Sequence, residues 1–159
     1  MYNILIVDDE KKEREGIALL LKRFGFPLRT ALAQNGEDAL KIMEKNHFDI
    51  LLTDIKMPYM DGIQLIRETQ KRGLNPICII YSAYGEFEYA REALSFGAVS
   101  FVLKPLDPEE LTKELQKCKE KREHIYRQKS SVKKMQKDQF LLEQLSGMVP
   151  SENQQSKWE

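Results

Sequence analysis

A short apolar run that ends abruptly in an acid is the sequence feature that most constrains the fold of this chain. Residues 50–52 (ILL) are too few for a solitary helix, and such a run is typical of a strand buried on both faces of a parallel sheet. The run leads to Asp54, and the loop that follows contains Pro58 and Gly62. Ligands of open α/β sheets bind at the carboxyl ends of the strands. Asp54 is therefore predicted to lie at a binding edge.

A second apolar run ends in the same way. Residues 2–7 (YNILIV) lead directly into Asp8, Asp9 and Glu10. If the two strands are neighbours, Asp8, Asp9 and Asp54 converge on one pocket, where crowded carboxylates favour a hard divalent cation such as Mg²⁺. The alternative is that the three consecutive acids form only the polar start of a helix, where negative charge is favoured.

Strands and helices alternate along the rest of the chain. Further strands are predicted at residues 30–33, 77–81 and 99–103, with helical spacing of apolar residues between them. Such alternation predicts one parallel sheet with right-handed crossovers and helices on both faces. The first, third and fourth strands are apolar throughout and are placed centrally. The fold class is α/β, a five-stranded parallel doubly wound sheet followed by an extended C-terminal helix.

Two further strand ends carry reactive groups. Ser82 follows the fourth strand, and Lys104 follows the fifth. Taken alone, Ser82 is a turn-forming hydroxyl and Lys104 is a solvated lysine. Beside Mg²⁺ and a lysine, however, a carboxylate can attack a phosphoryl group, because both cations neutralise the transferring oxygens. We therefore assign Asp54 as the nucleophile, with Asp9 holding the metal and Asp8 acting through water.

Four ordered motifs resemble the receiver domain of two-component response regulators. They are VDDE at 7–10, TDIKMPYMDG at 53–62, YSA at 81–83 and FVLKP at 101–105, and the resemblance covers roughly residues 1–120. It implies a flavodoxin-like receiver fold with strand order 2-1-3-4-5. It also implies that Asp54 accepts a phosphoryl group from a sensor histidine kinase. Mg²⁺ is then bound by Asp8, Asp9, Asp54 and the backbone carbonyl of Lys56. The domain is a signalling module with self-catalysed phosphotransfer and dephosphorylation, not an enzyme.

The resemblance also implies a conformational switch. Ser82 moves toward the phosphoryl group, the ring of Phe101 turns inward, and the face made by the fourth helix, fifth strand and fifth helix changes shape. The peptide bond before Pro105 is expected to be cis. Serine and phenylalanine replace the more common threonine and tyrosine, which should leave the mechanism intact. Lys56 and Tyr84 occupy positions that influence phosphoryl lifetime in the family.

The C-terminal part contains an imperfect heptad pattern. Polar residues interrupt it at Arg122 and Lys129. The apolar members are Leu111, Leu115, Cys118, Ile125 and Val132. Residues 1–120 are expected to form the receiver and 121–145 a helical linker. That linker either pairs as a coiled coil on dimerisation or remains a solvated or frayed helix. Residues 146–159 are expected to be a polar, disordered tail or the truncated start of a further region.

The stretch YSAYGEFEYAREAL, followed by a long helix, resembles receivers at the front of AraC-type transcription regulators. An apolar cluster at residues 140–145, after Ser130 and Ser131, suggests that another packed helix begins there. We therefore expect a piece of a longer regulator that contacts DNA only through an output domain outside this chain. The alternative is a stand-alone receiver acting through protein–protein interaction. A hydrolase is disfavoured, because Lys56 stands where aspartate-nucleophile hydrolases carry a second acid.

The amino-acid composition excludes several other classes of protein. The chain has 25 Lys and Arg against 25 Asp and Glu, without the basic excess of a nucleic-acid-binding domain. Cys78 and Cys118 lie in different predicted elements, which disfavours a disulfide. No apolar run approaches the roughly 18 residues that a membrane span requires. We expect a cytoplasmic protein without membrane contact. Homodimerisation is expected through the face of helix 4, strand 5 and helix 5, the linker, or both.

Overall fold

Five strands and five helices alternate in the computed structural model, which describes residues 1–25, 27–83, 87–95 and 97–148. The strands are β1 (Tyr2–Val7), β2 (Leu28–Ala33), β3 (Ile50–Asp54), β4 (Ile77–Ser82) and β5 (Ala98–Leu103). The helices are α1 (Lys11–Arg23), α2 (Gly36–Lys45), α3 (Gly62–Lys71), α4 (Phe87–Ser95) and α5 (Pro108–Met148).

All strand pairs are parallel, in the order β2-β1-β3-β4-β5. This confirms the predicted fold class and strand order. The central strands β1, β3 and β4 are buried on both faces, so neighbouring residues contribute to different cores. Leu51 packs against α2 and α3, whereas Leu52 packs with α1 and the first turns of α5. Each such side chain contributes about 1.5–3 kcal/mol by leaving water.

The chain divides into two compact units, Met1–Lys119 and Glu120–Glu159. The sheet, all the predicted site residues and the start of α5 belong to the first unit. The described part of the second unit is helical and carries exposed apolar side chains. These are Tyr126, Val132, Met135, Phe140, Leu141, Leu142 and Leu145.

Helix α5 continues through Ser130 and Ser131 to Met148. The prediction that a separate helix begins after these serines is therefore wrong, and the apolar cluster at 140–145 belongs to the same helix. Residues 146–148, expected in the polar tail, are also helical, and 149–159 lie outside the described residues. Among the described residues, no helix combines the length and apolarity needed to cross a bilayer.

Candidate functional site

Strand register brings the predicted residues to one edge of the sheet. Val7 of β1 lies beside Thr53 of β3, so the next residues, Asp8 and Asp54, end neighbouring strands. Ser82 is the last residue of β4, the strand on the other side of β3. The carboxyl ends of three parallel strands therefore deliver two acids and a hydroxyl to the same crevice, as the sequence predicts.

Three carboxylates meet in this crevice. One oxygen from each of Asp8, Asp9 and Asp54 lies within 4.8 Å of the others. Asp8 is fully buried and Asp54 is 6 % exposed, whereas Asp9 faces solvent. Like charges this close repel one another, and burial weakens the screening that water would provide. The cluster therefore needs positive charge.

Lys104 supplies part of that charge. Its Nζ lies 3.0 Å from Oδ2 of Asp54 and 3.6 Å from Oδ2 of Asp8. Its backbone N–H donates to the carbonyl of Ser82 at 2.8 Å, which fixes the end of β5 against β4. The Lys104–Pro105 peptide bond is cis. The ammonium group thus bridges the two buried acids from the far side of the crevice.

The pKa values reflect this competition between burial and charge. Burial raises the pKa of Asp54 above its ordinary value, the hydrogen bond and charge of Lys104 oppose the rise, and the charge of Asp8 adds to it. Partial burial and a hydrogen bond to Asp8 also raise the pKa of Asp9. Burial acts to lower the pKa of Lys104, but Asp54 and Asp8 outweigh it and raise that pKa. One ammonium therefore compensates only part of the cluster's charge.

Ser82 carries a buried hydroxyl at the end of β4. Its side chain is 1 % exposed, and its Oγ makes no hydrogen bond to any residue that the structure describes. Leaving a buried donor unsatisfied costs about 1–3 kcal/mol, so native structures rarely do so without a functional reason. A hydroxyl at this strand end is suited to donate to an anionic oxygen that arrives beside Asp54.

The hydrogen bonds that hold Asp8 were not predicted. The hydroxyl of Tyr81 donates to Oδ2 of Asp8, and the backbone N–H of Glu10 donates to Oδ1 at 2.9 Å. Arg14 donates from Nη1 to the Asp8 carbonyl at 2.7 Å. In the sequence, Tyr81 is simply the last residue of a predicted apolar strand. The available indication was its polar hydroxyl at the end of that strand, next to Ser82.

Other predicted residues lie close to the site along the chain. Lys56 follows Asp54 by two residues, and its side chain is exposed. Phe101 of β5 is partly buried and packs against the core cluster on the α2 and α3 side of the sheet. Tyr84, predicted to influence phosphoryl lifetime, lies outside the described residues.

The loop after β3 folds back tightly on Asp54. The N–H of Gly62 donates to the Ile55 carbonyl at 2.7 Å, and a Cβ at Gly62 would lie 2.2 Å from the Asp54 carbonyl oxygen. Helix α3 then begins with a capping box, in which Asp61 accepts from the Gln64 N–H and the Gln64 side chain accepts from the Asp61 N–H. Only glycine fits this approach, so the loop geometry depends on Gly62.

The donor set fits a magnesium ion. Mg²⁺ prefers carboxylate, carbonyl and water oxygens at about 2.0–2.1 Å, so two direct ligands are at most about 4.2 Å apart. The oxygens of Asp8, Asp9 and Asp54 lie within 4.8 Å of one another. A small adjustment, or a bridging water at one acid, meets the octahedral requirement. Sulfur and imidazole ligands, which softer metals prefer, are not part of this cluster.

The strand order and the acidic crevice together define a flavodoxin-like receiver fold, in which Asp54 lies at the end of the middle strand. Comparison with known families agrees with this class. The pattern of the response regulator receiver domain matches residues 4–116, more than half of the chain, and the chain therefore belongs to that family.

Individual relatives are also described as regulators or receiver domains. The chain is 31 % identical over 161 residues to the uncharacterised transcriptional regulatory protein YesN of Bacillus subtilis, an alignment that covers 94 % of this chain and 44 % of YesN. The receiver domain of AraT, a response regulator from Geobacillus stearothermophilus, is 35 % identical with a TM-score of 0.70 and covers 79 % of this chain and 98 % of its own.

A two-component transcriptional regulator AraC from Clostridium phytofermentans is also 35 % identical. Its structure matches with a TM-score of 0.69, covering 78 % of this chain and 97 % of its own. The chain spans less than half the length of the first curated relatives it matches, at 44 %, 23 % and 46 %. The similarity therefore concerns less than half of each of those regulators.

Proposed function

We propose that this chain is a phosphorylation-controlled receiver in which Asp54 accepts a phosphoryl group from a sensor histidine kinase. The observation that carries the proposal is the surroundings of Asp54. This carboxylate lies within 4.8 Å of two further acids, 3.0 Å from an ammonium, and beside a strand end whose buried hydroxyl has no hydrogen-bond partner among the described residues. An acidic cluster alone would suggest only a cation site. The ammonium and the hydroxyl add binding groups for an anion at the same place.

The reaction follows from these positions. An oxygen of Asp54 forms a bond to phosphorus while the bond from phosphorus to the donor histidine nitrogen breaks, and that nitrogen leaves with its electron pair. Lys104 stabilises the charge that develops on the transferring oxygens. Bound Mg²⁺ supplies further neutralisation of those oxygens. Asp9, Asp54 and the Lys56 carbonyl are proposed as its direct ligands, with Asp8 acting through water.

Phosphorylation then provides the switch. The product brings about −1.5 to −2 charges and new acceptor oxygens to the crevice. The Ser82 hydroxyl donates to one of these oxygens, and Phe101 moves inward from its partly buried position. These contacts favour one of two states of the domain and reshape the face of α4, β5 and α5. Lys56 and Tyr84 are proposed to influence how long the phosphoryl group survives.

The output is proposed to be transcription. YesN and the Clostridium protein are both described as transcriptional regulators, and the regions similar to them cover 94 % and 78 % of this chain. The reshaped face would pass the signal to a DNA-binding domain, and DNA contact by this chain itself is not part of the proposal. The alternative is a receiver that acts in the cytoplasm through protein partners alone. A helix-turn-helix region in the full gene product would support transcription, and a stop near residue 159 would support the alternative.

Homodimerisation through residues 120–148 is part of the proposal, either alone or together with the face of α4, β5 and α5. The exposed residues Val132, Met135 and Leu142 are separated by three and seven positions, which is heptad spacing, and Ile125 precedes Val132 by seven. We therefore place the dimer seam after Val132 at residues 135 and 142. This assignment replaces the imperfect heptad pattern that Arg122 and Lys129 interrupt. Most of the stability of helices in proteins comes from packing of an apolar face, and pairing would bury the apolar stripe of this helix.

Metal-dependent labelling tests the proposed reaction. Acetyl phosphate should phosphorylate the unaltered chain in the presence of Mg²⁺, and excess EDTA should abolish labelling, because the crowded acids then lose their neutralising cation. Asp9→Asn should require a higher Mg²⁺ concentration for the same rate. Labelling that is unchanged in EDTA would contradict the metal assignment and remove Asp9 from the mechanism.

A further inference from the structure

Tyr81 contacts two groups of the proposed reaction, although none of the roles assigned above includes it. The residue is fully buried as the next-to-last residue of β4. Its hydroxyl donates to Oδ2 of Asp8, and its ring centroid lies 4.8 Å from Nζ of Lys104. One side chain therefore makes a hydrogen bond to an acid of the cluster and a cation–π contact to the ammonium.

These contacts decide the orientation of Asp8. Its Oδ1 accepts from the Glu10 N–H at 2.9 Å, and its Oδ2 accepts from Tyr81 while lying 3.6 Å from Nζ of Lys104. The tyrosine hydroxyl donates a hydrogen bond to Oδ2, so this oxygen does not depend on Lys104 alone for a partner. If that hydroxyl were removed, the nearby ammonium of Lys104 would remain as a partner for Oδ2. Asp8 would then lose one of the hydrogen bonds that fix its carboxylate, and its oxygens would no longer be held in place beside those of Asp9 and Asp54.

We propose that Tyr81 is a positioning residue of the metal site. It holds the Asp8 carboxylate beside the carboxylate oxygens of Asp9 and Asp54. The inference rests on the proposed function, because it concerns how that site takes up Mg²⁺. Hydrogen-bond partners of metal-binding side chains orient those side chains, and their loss typically weakens metal affinity by about 10- to 100-fold. Tyr81 therefore sets the Mg²⁺ concentration at which the receiver becomes reactive.

Tyr81→Phe separates the hydroxyl from the ring. The variant keeps the aromatic face beside Lys104 and removes only the hydrogen bond to Asp8. We expect Mg²⁺ to bind the variant about tenfold more weakly in isothermal titration calorimetry. At saturating Mg²⁺, the rate of labelling by acetyl phosphate should stay within about twofold of the unaltered rate, because Asp54, Lys104 and the ring all remain. A role in folding alone would not produce this split.

Ile79→Val is the matched control. Ile79 is fully buried, lies on the same strand and belongs to the same core cluster as Tyr81, but it is two residues further from the site. Its Mg²⁺ affinity should equal that of the unaltered protein. Affinity that is unchanged or tighter in Tyr81→Phe, or equally weakened in Ile79→Val, would overturn the inference. If the unaltered protein bound no Mg²⁺ at all, the proposed function itself would fail.

A spectroscopic measurement keeps the inference testable if Tyr81→Phe does not fold. Mg²⁺ should change the environment of the buried phenol and therefore give a tyrosine ultraviolet difference spectrum in the otherwise unaltered protein. The Tyr59→Phe variant should give the same spectrum, since Tyr59 is a fully exposed residue in the loop after β3. A spectrum without change on Mg²⁺ binding, or one lost in Tyr59→Phe, would contradict a role for Tyr81.

Discussion

Ser82 and Thr69 are both buried hydroxyl residues, but their surroundings differ. The Oγ of Ser82 makes no hydrogen bond within the described part of the chain, whereas Thr69 Oγ1 donates to the Ile66 carbonyl at 2.6 Å. Removing an unsatisfied group should cost little, whereas losing a made hydrogen bond costs about 0.5–1.5 kcal/mol. We therefore expect Ser82→Ala to leave the free energy of unfolding unchanged or raised, and Thr69→Val to lower it by about 1 kcal/mol.

Urea denaturation of both variants measures these differences. The Ser82→Ala variant should still be labelled by acetyl phosphate, but the chemical shifts of β5 around Phe101 should respond less to phosphorylation, because the bond to the new phosphoryl oxygen cannot form. A loss of stability in Ser82→Ala larger than that in Thr69→Val would show that the serine hydroxyl is already bonded in the resting protein.

Individual site residues differ in how far the sequence could identify them. Asp54, Ser82 and Lys104 stand at the ends of apolar strands, and a parallel sheet brings such ends together whatever the details of packing. Tyr81 could not be found in this way. Its proposed role depends on a hydroxyl that reaches from β4 past β3 to Asp8, the residue after β1, and only the packed structure defines that contact.

At the scale of elements, the turn from β3 into α3 depends on Gly62. A Cβ there would lie 2.2 Å from the Asp54 carbonyl oxygen, which is backbone and cannot move aside like a flexible side chain. We expect Gly62→Ala to destabilise the protein by about 1–3 kcal/mol, the usual cost of overpacking. The labelling rate should also fall, because Asp54 and the Lys56 carbonyl would be displaced.

Gly16→Ala is the control for this substitution. Gly16 is exposed within α1, and a Cβ added there would have no atom within 4 Å beyond its own helix backbone and chain neighbours. Alanine should therefore stabilise that helix by about 0.5–1 kcal/mol. Thermal unfolding of the two variants should move in opposite directions. A Gly62→Ala protein as stable as Gly16→Ala would show that the loop has room that the structure does not indicate.

The elements were predictable where local pattern and burial agree. Central strands buried on both faces read as continuous apolar runs, and all five strands were found, with β2 beginning at Leu28 rather than residue 30. The uninterrupted course of α5 was predicted wrongly, although the sequence is compatible with it. Serine is only mildly unfavourable within a helix, and between Pro108 and Gly147 the chain contains neither glycine nor proline to end it. Ser130 and Ser131 are therefore compatible with an uninterrupted helix.

At the scale of the whole molecule, the proposed dimer makes a prediction about residues 120–148. Met135→Lys combined with Leu142→Lys places charge in the proposed heptad seam and should shift the protein toward monomer. Leu141→Lys is the matched control. Leu141 is also exposed but lies on a different face of the helix from the seam, so this variant should remain dimeric. Sedimentation equilibrium distinguishes the two. Equal dissociation of both variants would contradict the proposed position of the seam. An unaltered chain that is monomeric would contradict homodimerisation itself.

The proposed receiver role depends on one covalent event, the proposed phosphorylation of Asp54. Acetyl phosphate with Mg²⁺ should add one phosphoryl group to the intact protein, measured by mass spectrometry, and the label should map to this residue. Asp54→Asn should abolish labelling, because an amide cannot replace the carboxylate as nucleophile. Asp61→Asn, which keeps a good helix cap in the same loop, should be labelled like the unaltered protein. Full labelling of Asp54→Asn would contradict the central claim.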